Sequence, residues 1–76
     1  MAYIQFTIPS SEHNPLRKLR RMQILGAMEA WSKIYDIKFE KDIVGYEINY
    51  HFANPQDLSF FLLNPPELPR KYSVIS

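Results

Sequence analysis

The sequence predicts an α+β domain, and three observations carry that reading. Apolar residues alternate in short runs within residues 2–8, 36–52 and 71–75, the period of half-buried strands. They recur at helical spacing over residues 14–35 and crowd together again over 58–63. Each helical stretch opens on the same pair, Asn14 with Pro15 and Asn54 with Pro55, a capping residue followed by the residue that suits the first helical position.

Taken in order, Ile4, Phe6 and Ile8 fall on one face of the first strand and Tyr3, Gln5 and Thr7 on the other. Residues 9–13, rich in turn formers, end it. The first helix is expected from Asn14 to about Tyr35. Leu16, Leu19, Ile24, Ala27, Met28, Ala30, Trp31, Ile34 and Tyr35 lie on one broad side of it. Residues 36–40 alternate with Ile37 and Phe39 inward, and Lys41, Asp42 and Ile43 are expected to turn the chain. Residues 44–52 then place Val44, Tyr46, Ile48, Tyr50 and Phe52 inward, with Gly45, Glu47, Asn49 and His51 outward.

The second helix starts at Asn54 and Pro55, with Asp57 well placed against the dipole of its first turn. Residues 64–70 form a proline-rich connector, because Pro65, Pro66 and Pro69 exclude regular structure. Residues 71–76 read as a weak last strand or a tail. The order is therefore βαββαβ, a compact ferredoxin-like split βαβ with both helices on one sheet face. The fallback is a βαββα core with a flexible C-terminal tail. Residues 1–76 are expected to form a single domain.

A chain of 76 residues buries only about 60% of its unfolded surface, so it needs a rich core. With 46% hydrophobic residues it has the means, and disorder is excluded. Cysteine is absent, so neither disulfides nor thiolate metal sites are available. The first residues lack the basic-then-apolar pattern of a signal peptide. No apolar run approaches the ~18 residues of a membrane helix. A soluble cytoplasmic protein, with no membrane partner, is the expectation.

The net charge is only +1, but it is unevenly spread. Residues 1–25 hold Arg17, Lys18, Arg20 and Arg21 against Glu12, a net of +3, and the rest of the chain carries −2. Four cations thus fall in the opening turns of a helix, where the dipole already favours an anion by roughly 0.3–1 kcal/mol per charge. A local rule broken in this way points to a functional site. Arg17 and Arg20 also lie on the apolar side of the helix, so its first turns either overhang the core or lay their stems along it.

Phe60 and Phe61 supply a second candidate. Adjacent residues diverge by about 100° on a helix, so both cannot face the core, and one is expected to be an exposed anchor. Eleven aromatic residues are many for so small an interior, which leaves surface for a partner or for self-association.

Chemistry of other kinds finds little support in the sequence. Glu12, His13 and His51 have no metal-ligand spacing. Gly26 and Gly45 are the only glycines, too few for a phosphate loop, and Ser10 and Ser11 lack a base and an orienting partner. No catalytic residue, metal or cofactor is expected. Sheets that bind RNA stack bases on aromatics from their two central strands. Tyr3 supplies one, but Tyr46 and Tyr50 are assigned to the core.

The expected function is that of a small non-enzymatic regulator or adaptor that docks onto a larger protein with an acidic surface. Arg17, Lys18, Arg20, Arg21, Phe60 and Phe61 are the contact residues. The alternative is a nucleic-acid-binding module built on the same basic helix start, with Arg70 and Lys71 as an extension of the patch.

Overall fold

The computed structural model describes residues 2–9 and 14–76. The alternation of the first segment becomes β1 (Tyr3–Thr7), with Ile4 and Phe6 fully buried. The expected break at residues 10–13 lies outside the described residues.

Helix α1 runs Asn14–Tyr35 and buries Ile24, Met28 and Trp31. These three lie within a narrow arc at ~100° per residue. Leu16, Leu19 and Ile34, expected on the apolar side, lie off that arc and are exposed. The helix ends in a left-handed cap. Asp36 takes φ 52°, and the Ile37 N–H donates to the Ser32 carbonyl at 3.1 Å. That six-to-one closure is the Schellman pattern, with Asp standing where glycine is usual. The Ser32 hydroxyl donates to the Ile37 carbonyl at 2.6 Å and fastens it.

The hairpin differs from its sequence reading. Strand β2 spans Phe39–Val44 and β3 spans Glu47–Phe52, so Lys41, Asp42 and Ile43 are strand, not turn. The turn is Gly45 and Tyr46, with Gly45 at φ 58°. A two-residue hairpin needs a positive φ at its first central residue in the II′ form, and glycine meets that need where Lys or Asp would be strained. Val44 pairs with Glu47 across it. Consequently Val44 and Tyr46 leave the core and are exposed, while Ile48, Tyr50 and Phe52 are buried as expected.

Helix α2 spans Pro55–Leu63. The Asn54 side chain accepts from the Asp57 N–H at 3.0 Å, and Pro55 fills the first turn. After the connector, β4 (Ser73–Ile75) pairs with β1, Tyr3 opposite Ile75, so the last residues form a strand rather than a tail.

The result is an α+β domain with two helices and a four-stranded antiparallel open sheet, ordered β2-β3-β1-β4. Buried residues of both helices join those of β1 and β3 in one cluster. Trp31 is its hub. Its ring meets Phe52 and Phe61 edge-on, and its Nε1–H donates to the Asn64 carbonyl at 2.8 Å, tying α1 to the end of α2.

No helix of the described residues is long and apolar enough to cross a membrane.

Candidate docking surface

The start of α1 brings the four predicted cations together. Lys18 is exposed, and Arg17, Arg20 and Arg21 are half-buried. The Arg17 guanidinium lies over the Tyr46 ring, 4.8 Å from its centroid, and donates through Nη2 to Asn14 Oδ1. Arg20 donates through Nη1 to Gln23 Oε1 at 3.4 Å. The Arg17 side chain therefore lies along the protein, one of the two arrangements expected, and its Nε is buried with no hydrogen-bond partner among the described residues. Among the described residues the ion pair is Lys33 with Glu29, and none of the four cations meets a carboxylate. Among the described residues their charge is not neutralised by a carboxylate.

An apolar strip runs beside them. Leu16 is 40%, Leu19 48% and Met22 61% exposed, at successive three-residue steps along the same helix. Sequence reasoning missed this strip by assigning Leu16 and Leu19 to the core side and leaving Met22 unused. The signal was present, since Leu16 lies ~60° and Leu19 and Met22 lie ~120° away from the arc through Ile24, Met28 and Trp31 at helical spacing.

The expected divergence of Phe60 and Phe61 occurs, but the result is not an exposed anchor on α2. Phe61 is fully buried. Phe60 is half-buried because Tyr35 and Trp31 cover it, with ring centroids at 4.9 and 6.0 Å. The exposed apolar residues of that helix are Leu62 and Leu63 instead. Full burial thus closes Phe61 to a partner while Phe60 keeps part of its surface open, and Arg17, Lys18, Arg20 and Arg21 gather on one helix start. Lys71 is exposed and Arg70 half-buried and engaged.

The other sheet face carries no helix. Directly paired residues of an antiparallel ladder share a face, so the register places Tyr3, Gln5 and Thr7 with Glu47, Asn49 and His51, and adds Glu40, Asp42 and Val44 from β2. Tyr3 and His51 are stacked with centroids 4.6 Å apart on the two central strands. Beside them the Gln5 amide donates to Asn49 Oδ1 at 3.1 Å, and Asn49 is buried under its neighbours, not open to water as expected. Alternation placed Tyr3 and His51 on this face, but only the register makes them neighbours. A shallow cleft lined by Lys38, Glu40, His51 and Ala53 adjoins the pair.

A last polar feature lies between α1 and β2. Leu25, Glu29, Ser32, Phe39 and Lys41 line a cleft over Tyr50. Burial, and secondarily the Glu29 carboxylate, push the Tyr50 phenol well above its ordinary range. It is a neutral hydroxyl at physiological pH and presents no charge. The described residues hold no cluster of His, Asp or Glu able to ligate a metal. Glu12 and His13 lie outside them.

Fold and site together define a small α+β domain with an uncovered sheet face and a cationic, partly apolar helix start. No family model matches the chain, and no curated protein or solved structure matches it significantly.

Proposed function

We propose that this protein is a non-enzymatic docking domain that engages an acidic protein surface through the first turns of α1. The observation that carries this reading is the exposed strip of Leu16, Leu19 and Met22 set among cations that no carboxylate neutralises among the described residues. An apolar strip at helical spacing with flanking charge suits a groove or flat protein surface. Covering the exposed parts of Leu19 and Met22 contributes roughly 1 kcal/mol each, and the cations speed encounter and reject basic partners.

We read the fold as the ferredoxin-like split βαβ. What supports it is that β3 lies between β1 and β2, the two strands that α1 connects, and β4 lies beyond β1. A cytoplasmic setting accords with the lack of cysteine.

The nucleic-acid reading draws on the same cations and on the Tyr3 and His51 stack. It is the weaker of the two, because that stack is flanked by Glu40 and Asp42, which repel phosphate.

The test is a titration with two kinds of probe across a salt series. One is an amphipathic helical peptide of Glu and Leu; the other is mixed-sequence single- and double-stranded DNA and RNA. Docking predicts that the peptide binds, keeps part of its affinity at high salt, and loses about thirtyfold with Leu19→Ser/Met22→Ser. Lys18→Glu/Arg20→Glu/Arg21→Glu abolishes the remainder. Tight nucleic-acid binding that falls steeply with salt and ignores the Leu19 and Met22 changes would overturn it.

A further inference from the structure

The acidic surface that matches the basic helix start is present on the chain itself. Glu40, Asp42 and Glu47 project from the neighbouring strands β2 and β3 onto the uncovered sheet face. None of them is ion-paired among the described residues. Glu40 is paired with His51 in the ladder, and His51 stacks on Tyr3, so carboxylates border an aromatic platform. The chain already places a guanidinium on such a ring, Arg17 over Tyr46.

Resting on the docking reading above, we propose that the partner of the basic end is a second copy of this chain. The start of α1 of one copy seats on the open sheet face of the next. Arginine side chains stack on Tyr3 and His51 and meet the three carboxylates, while Leu19 and Met22 are covered.

Three further features favour this contact. The net charge of +1 imposes almost no long-range repulsion between copies, so the separated positive and negative surfaces decide their approach. The alternative of joining copies through their β2 edges is opposed by charge. A symmetric antiparallel pairing of β2 with β2 must keep the sheet faces aligned. Centred on Lys41, it sets Glu40 against Asp42 of the second copy; centred on Asp42, it sets Asp42 against itself. The basic end and the sheet face are also different patches, so using both gives a head-to-tail contact. Such a contact leaves one free patch at each end and continues until a ring closes.

That property supplies the test. Sedimentation velocity on the full chain in low salt, over a concentration series, is expected to show assembly beyond the dimer that high salt reverses. Two variants each remove one half of the contact: Lys18→Glu/Arg20→Glu/Arg21→Glu and Glu40→Gln/Asp42→Asn/Glu47→Gln. Each alone is expected to be monomeric with a native circular dichroism spectrum. Their equimolar mixture is expected to form a dimer and to stop there, because each copy then keeps only one working patch. A wild-type chain that stays monomeric overturns the proposal. So do variants that still assemble, or a mixture that remains monomeric. Titrating the Glu and Leu peptide into the same wild-type sample separates the two readings. Peptide binding by a monomer leaves docking standing and removes only self-assembly; a monomer that ignores the peptide removes both.

Discussion

At the scale of single residues, three positions bear tasks that no neighbour shares. Asn54 satisfies the Asp57 N–H at the head of α2, so Asn54→Ala is expected to cost about 1 kcal/mol in urea denaturation. Gly45 stands at φ 58° with nothing within 4 Å of where a Cβ would sit. Gly45→Ala is therefore expected to cost about 1 kcal/mol from backbone conformation alone, with no clash to relieve. Tyr50 governs alkaline behaviour. The unfolded chain releases a phenol proton near pH ~10, while the native state holds this one to higher pH. Above that point the unfolded state binds fewer protons, and stability falls by up to about 1.4 kcal/mol per pH unit. Below it the contribution is constant. Urea midpoints measured from neutral to strongly alkaline pH should decline less in Tyr50→Phe than in the wild type.

The elements show which parts of the fold could be read in advance. The end of α1 and both ends of α2 were legible to within a residue, from helical spacing and, in α2, from a capping Asn followed by a Pro in the first turn. The hairpin turn was not, because Lys41 and Asp42 look like loop residues. In an edge strand, charged residues are ordinary and guard against pairing with other chains. The need for positive φ at Gly45 outweighs composition. The same slip carried Tyr46 into the expected core, for alternation has no meaning across a turn. For Phe60 and Phe61 the geometry of one helix established that they diverge, but not that Trp31 and Tyr35 of another helix would cover Phe60. Phe61→Ala is expected to cost about 3–5 kcal/mol as a core truncation. Phe60→Ala should cost markedly less, and paired denaturation curves will rank them. The cationic start of α1 was legible as a breach of dipole preference. Its apolar strip is not legible in advance, since Leu16 and Leu19 fall on the broad apolar side of the helix.

For the whole molecule, stability and binding are set against each other at that helix start. Lys18→Glu exchanges a cation for an anion near the positive end of the dipole. It is expected to stabilise the fold by roughly 0.3–1 kcal/mol at low salt, and thermal melts should register the gain. The same change is expected to weaken docking. A residue whose replacement improves the fold while impairing contact is retained for the contact. If Lys18→Glu left both the melt and peptide binding unchanged, the cluster would be no more than a solvated surface.

Strand β4 has only three residues, yet it is all that lies beside β1 on that side of the sheet. It pairs the backbone of Tyr3–Gln5, in the strand that carries Ile4 and Phe6. A three-residue ladder opens easily. Each opening turns an interior strand into an apolar template for another chain. Residues 73–75 are therefore expected to act as a latch against uncontrolled growth. Deleting residues 72–76 should yield a chain that still forms its helices by circular dichroism but precipitates on concentration, even in salt high enough to silence every charged contact.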